Sequence, residues 1–175
     1  MKKFLVTLMT LALLLMLTVA SAESVSAINW ADVNVESTGI AGTWYTFDNV
    51  ALKIWVPDIF QDMDLTAEEA EQGIFGKFAP ADQTAAIFAS YHQGQEGTTM
   101  DDLISTIKGN GVKDAERVQL NGLDAVTYSM PEADAMYVNF VTESGNYVQF
   151  TFVPASDEGF AAVAQLVTAS IMAEE

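Results

Sequence analysis

The shortness of the connections between its extended runs is what most restricts this chain. Residues 115–120, 123–129, 135–142 and 147–153 alternate apolar and polar side chains with period two, the pattern of half-buried strands, and the gaps between them leave room only for reversals. A parallel return needs a crossover of a dozen or more residues, so neighbouring runs must pair antiparallel. Asn121-Gly122 is the strongest turn signal, because a type I′ turn requires positive φ at both central positions, and Ser144-Gly145 is a second. Upstream, 43–47 and 52–56 are β-branched or aromatic runs separated by Asp48-Asn49, which predicts a first hairpin ended by Pro57. A further pair, 74–78 and 84–92, is joined through Pro80-Ala81-Asp82.

Three stretches break the period of two. Thr66 with Glu69 three residues on forms a capping box, so a short helix starts there and closes at Gly73. Met100, Leu103, Ile104 and Ile107 share one helical face, with Thr98 or Thr99 as cap, Asp101 and Asp102 in the first turn and Gly109 as stop. Ser156 is positioned to cap a last helix striped by Phe160, Val163, Ala164, Val167 and Ile171. The resulting order, β-β-α-β-β-α-β-β-β-β-α, predicts an α+β fold: a twisted antiparallel sheet flanked by helices that each bury one apolar face.

Ahead of this pattern, Lys2 and Lys3, an uncharged apolar run over 4–19 and the small residues of Ala20-Ser21-Ala22 read as a cleavable export signal over 1–22. The run is short for a membrane span of about 20 residues. A second small-residue site, Val25-Ser26-Ala27, leaves the point of cleavage open. Residues 23–39 read as a flexible tether with at most a marginal strand, and 40–175 as a single domain working outside the cytoplasm, with no membrane span after cleavage. The chain contains no cysteine, so neither disulfides nor a lipoprotein thioether can hold it.

With 24 acidic residues against 7 basic ones the formal net charge is −17, and loss of Lys2 and Lys3 would take it to about −19. Binding of phosphate backbones or anionic lipid recruits clustered Lys and Arg, so nucleic acid is excluded as a partner. Solubility alone accounts for the acidity; cation binding is the specific alternative.

Catalytic chemistry is poorly provided for. His92, at a strand end, is the single histidine, there is no thiol, and no Gly-x-Ser-x-Gly elbow occurs. Zinc needs three or four Cys or His ligands, which leaves oxygen-ligated calcium as the one metal the composition favours. The densest acidic stretch supplies Asp58, Asp62 and Asp64 as candidate ligands, continuing through Glu68, Glu69 and Glu71. It departs from the EF-hand pattern, since Ala67 and Gly73 stand where Gly and Glu are required, and a solvated loop leading into an acid-rich helix start explains it equally. No organic cofactor is implied. Trp44 and Trp55, in adjacent strands of the first hairpin, are candidates for stacking on a ligand, or else pack beneath the short helix; Trp30, in the tether, is expected to be the most exposed tryptophan.

An aromatic strand and turn leading into an apolar strand ended by proline, Tyr45-Thr46-Phe47-Asp48-Asn49-Val50-Ala51-Leu52-Lys53-Ile54-Trp55-Val56-Pro57, is followed by an aromatic at Phe60. Downstream come a helix over 101–108, the hairpin Val118-Gln119-Leu120-Asn121-Gly122-Leu123-Asp124-Ala125, two more strands and a terminal helix. This layout, over 43–172, resembles the PsbP-like family, an α/β/α sandwich shared by the extrinsic photosystem II subunit PsbP, the Ran-binding protein Mog and many small exported bacterial proteins. The resemblance implies a fold and a mostly non-enzymatic role, and it transfers no site residue. The expectation is therefore an exported, non-catalytic domain binding an extracytoplasmic protein or small ligand through an aromatic groove between the sheet and its shorter helix, near Trp44, Trp55 and Phe60. Its alternatives are a carboxylate-based calcium protein or hydrolase, and a domain docked to a larger cell-surface assembly by its tether.

Overall fold

The computed structural model describes residues 25–174, and the leader expected over 1–22 lies outside them. In chain order the strands are β1 (Ser26–Ile28), β2 (Gly42–Phe47), β3 (Leu52–Pro57), β4 (Gln61–Asp62), β5 (Ile74–Ala79), β6 (Ala86–His92), β7 (Glu116–Leu120), β8 (Leu123–Met130), β9 (Ala135–Val141), β10 (Tyr147–Val153) and β11 (Met172–Ala173). The helices are α1 (Ala67–Glu71), α2 (Met100–Gly109) and α3 (Glu158–Ser170). Each run expected from periodicity or turn chemistry forms its element. The additional strands β1, β4 and β11 are two or three residues long, too short for any period to register.

The strands form two sheets instead of the one expected. A large sheet has the order β1-β7-β8-β9-β10-β6-β5-β4, and a small one the order β11-β3-β2. Among the described residues the pairings are antiparallel except β1 with β7, a parallel pair that the long connection between these two strands permits. Asn121 (φ 49°) and Gly122 (φ 85°) both adopt the left-handed region that the β7–β8 turn demands.

Alternation along the strands decides what each face meets. On one side of the large sheet Phe78, Ile87, Ala89, Val118, Ala125, Val138, Phe140, Phe150 and Phe152 are buried against the small sheet and α3. Phe47 of β2 reaches across to Phe150 of β10, ring centroids 6.1 Å apart. On the opposite side α2 lays Met100, Leu103 and Ile107 over Val126, Tyr128, Val141 and Tyr147. The layers are thus helix, sheet, then a mixed layer of small sheet and α3. Because α3 is wedged against both β3 and β7, it buries Ala162, Leu166, Ala169 and Ser170 as well as the expected stripe.

Local chemistry sets the helix ends. Thr99 caps α2, its hydroxyl accepting from Asp102 N–H while the Asp102 carboxylate accepts from Thr99 N–H. Arg117 on β7 joins α2 to the sheet by donating to Asp101 (2.8 Å) and Asp124. Asp157, not Ser156, caps α3 by accepting from Phe160 N–H at 2.7 Å. Ser156 is diverted: its N–H and hydroxyl both donate to the Asp134 carboxylate, at 2.7 and 2.8 Å.

The capping box of α1 forms as expected, and Glu69 also accepts from Lys77 Nζ of β5 at 2.6 Å. Lys77, then the Thr66 backbone N–H and hydroxyl, pull the Glu69 carboxyl down to about 2 from the usual 4.5. A depressed folded pKa stabilises the native state above the unfolded value and ceases to do so as pH falls through about 2. In a carboxyl NMR titration, Glu69 is expected to titrate well below the usual 4.5 in the wild type and to move upward in Lys77→Met. An unchanged midpoint in the variant would separate the shift from Lys77.

Candidate functional site

The hairpin β2–β3 brings Trp44 directly opposite Trp55, which puts both rings on the outer side of the small sheet. The third member is Trp30. Its ring lies 5.5 Å from Trp44, edge-on at 77°, and 5.6 Å from Trp55. Trp55 is 6 % exposed and Trp44 is 41 % exposed, so Trp30 is the half-buried prop and Trp44 the free ring, reversing the expected order of exposure. Gly42 is required beneath this cluster, since a Cβ there would overlap the Trp55 indole and the Val56 carbonyl. Lys53 Nζ sits 5.8 Å from the Trp44 ring centroid on its β3 side, a cation–π contact. Phe60 is not part of this shelf: it is 4 % exposed and packs on Phe160 of α3 at 5.7 Å. Nor does the short helix cover the tryptophans, because α1 leans on β5 of the large sheet.

Trp30 is placed by the segment read as a tether. Residues 25–38 carry β1 and two 3₁₀ turns, at Trp30–Asp32 and Val35–Thr38. One side chain anchors them. Asn121 accepts from Trp30 N–H through Oδ1 at 2.6 Å, and its Nδ2 donates to the Ala169 and Ile171 carbonyls at 2.9 and 2.8 Å, while its own N–H donates to the Ile28 carbonyl. Sequence reasoning identified Asn121 as a turn residue and could not see the anchor. The positive-φ position was legible, but the reach of its amide depends on where α3 ends.

The carboxylates of the calcium alternative are spread along one path. Asp58 follows β3 and accepts from the Thr43 hydroxyl at 3.0 Å, Asp62 is exposed in β4, and Asp64 is exposed beyond it. Among the described residues no three of His, Asp and Glu are grouped so as to hold a metal ion.

His92 is exposed at the end of β6, its Nε2 2.9 Å from the hydroxyl of buried Ser90. A serine nucleophile would need a base oriented by a third group and amide donors for an oxyanion. Here the neighbouring main chain is occupied by ladder bonds to β10 and by Tyr91 N–H donating to the Gly73 carbonyl, and the Ser90 hydroxyl also reaches the Gln149 carbonyl at 3.4 Å. No carboxylate bonds to His92 among the described residues. Beside this pair Gln149 Nε2 donates to Asn139 Oδ1 at 2.9 Å, and the buried Asn139 amide faces the Tyr128 phenol. Burial pushes the Tyr128 phenol above its usual range, with that amide opposing and Tyr137, stacked at 5.0 Å, reinforcing.

No protein-family model and no curated protein matches the sequence. Solved structures do resemble it. Cyanobacterial PsbP (CyanoP) from Synechocystis sp. PCC 6803 superposes with a TM-score of 0.53 at 11 % identity, over 90 % of this chain and 98 % of that one. A protein from Bacteroides thetaiotaomicron VPI-5482 gives 0.50 at 18 % identity, over 77 % of this chain and 49 % of the other. The Saccharomyces cerevisiae Ran-binding protein Mog1p gives 0.39 at 10 % identity, over 77 % and 96 %. At such identities the likeness is one of architecture, and it agrees with the layer order above: this chain has the PsbP-like α+β sandwich fold.

Proposed function

We propose that this chain is an exported, non-catalytic PsbP-like domain that binds a protein partner through the tryptophan shelf on β2–β3. Export rests on the leader-like composition of 1–22. The non-catalytic reading is supported by the Ser90 hydroxyl and its neighbouring amides being engaged by the sheet, which leaves the single histidine without a prepared nucleophile. One observation carries the binding site: Trp44, a large amphipathic ring, is 41 % exposed and packs edge-on against Trp30, which in turn packs on Trp55. An indole offers a large contact area with few rotatable bonds, so it loses little conformational entropy on binding, and tryptophan is enriched among interface hot spots.

A thermal-shift and tryptophan-fluorescence panel of peptides, oligosaccharides and calcium tests this. Trp44→Ala removes a part-exposed ring with its contacts to Trp30 and Lys53, so its own melting temperature is expected to fall by only a few degrees. A peptide that stabilises the wild type should lose about tenfold or more in affinity for the variant, the size of a hot-spot truncation. Stabilisation by calcium, or a peptide response indifferent to Trp44→Ala, would overturn the site.

A further inference from the structure

The open edge of β2 adds a second observation to the shelf, and the inference drawn from it rests on the protein-binding reading above. In the β2–β3 pair, Gly42 stands opposite Pro57 and Phe47 opposite Leu52, with no shift of register. The Asp58 N–H donates to the Ala41 carbonyl at 3.0 Å, which fixes the phase of the ladder. Since hydrogen-bonded pairs alternate, Ala41, Thr43, Tyr45 and Phe47 exchange bonds with β3. The N–H and C=O groups of Gly42, Trp44 and Thr46 are therefore directed away from β3, and among the described residues nothing takes them up. The pairing of Gly42 with a proline agrees with this phase, because Pro57 has no N–H to offer.

Edge strands are normally blunted by shortness, charge, proline or a bulge. The other edges of this molecule follow that rule: β1 has three residues, and β4 and β11 have two each. β2 is the exception, with six residues, no charge, no proline and no bulge. Thr43, Trp44 and Thr46 are exposed along it. Acids stand at both ends, Asp48 just beyond Phe47 and Asp58 bonded to Thr43, and both are exposed.

We propose that β2 receives an extended, basic segment of a protein partner as an added strand. The three open N–H and C=O pairs supply the main-chain bonds, and alternate side chains of the incoming strand lie against Trp44. Charge selects the occupant. Asp48 and Asp58 bracket the edge of a chain whose formal charge is −17, so a second copy would bring like charge to like, whereas lysines flanking an apolar strand would be drawn to both ends.

The test uses the full ¹⁵N-labelled protein and two short synthetic peptides of alternating valine and threonine, one with lysines at both ends and the other with glutamates there. With the lysine peptide, amide exchange at Gly42, Trp44 and Thr46 is expected to slow by about tenfold or more while Thr43 and Tyr45 hold their values. Added salt should reverse the effect, and the glutamate peptide should produce none. Thr46→Pro, which deletes an outward N–H and leaves the β3 ladder intact, should abolish it. Should that variant fail to fold, the contrast between the two peptides on the wild type still decides. Quenching of Trp44 fluorescence without amide protection would overturn strand addition while leaving the shelf as a binding site. Slow exchange at the three amides without peptide, deepening with protein concentration, would overturn the basic occupant in favour of a second copy. No protection with the lysine peptide would likewise overturn the proposal.

Discussion

Phe150→Ala is expected to lower the unfolding free energy by about 3–5 kcal/mol, the range for truncating a buried phenylalanine. The side chain has no exposed surface and is the hinge between the layers, meeting Phe47 of the small sheet at 6.1 Å and Phe140 of the adjacent strand at 6.2 Å. Removing the ring leaves a cavity walled by two sheets, neither of which can move inward without dragging its own ladder. Against a typical total of about 5–15 kcal/mol, this one change brings the domain close to the limit of folding. Equilibrium urea denaturation measures it. A loss below about 1 kcal/mol would mean that the interface between the two sheets repacks easily, and the rigid sandwich described above would be wrong.

The second large effect belongs to Asn121, through polar bonds instead of volume. Asn121→Gly keeps the positive φ and removes the three side-chain bonds to Trp30, Ala169 and Ile171. At about 0.5–1.5 kcal/mol for each bond, the expected loss is about 2–4 kcal/mol. Asn121→Ala should cost about 1–2 kcal/mol more, because alanine has no local bond with which to offset the left-handed conformation. The site of the loss is as informative as its size. The carbonyls at the end of α3 lose a donor and Trp30 loses its tether point, so amide exchange over 26–30 should accelerate and tryptophan fluorescence should shift to the red. A global loss with no local acceleration in that segment would show that the N-terminal strand is held by its β7 ladder alone.

Period and turn chemistry were enough to place the eight longer strands and the three α-helices, because both act within a few residues. The period of two over 115–153, the capping box at Thr66, a threonine cap at 98 or 99 and the paired positive φ of Asn121 and Gly122 are local facts that the tertiary structure left standing. The α3 cap was missed for a non-local reason. Ser156 and Asp157 are both competent caps, and Asp134, twenty-two residues away, captured Ser156. The candidate site was legible only in part. Two of its tryptophans follow from the first hairpin, since cross-strand partners share a face, but Trp30 stands ninety-one residues from the asparagine that positions it. Phe60, a candidate beside Trp44 and Trp55, is buried away from them. The chain reverses after Pro57, and that sends Phe60 into the core beside α3.

By itself the sequence determined the eight longer strands, the three helices, the antiparallel sense of the hairpins and the acidity of the surface, since each depends on residue type and spacing. Only the tertiary structure decided that the hairpins divide between two sheets, that α3 is buried on more than one side, that the N-terminal segment enters the large sheet in parallel, and that β2 ends as an unpaired edge. The physical reason is common to all four. Alternation specifies that a strand has an apolar face, but not which other face will cover it or which of its two edges will meet a neighbour. Those choices are settled by how surfaces from distant parts of the chain can be buried together at once.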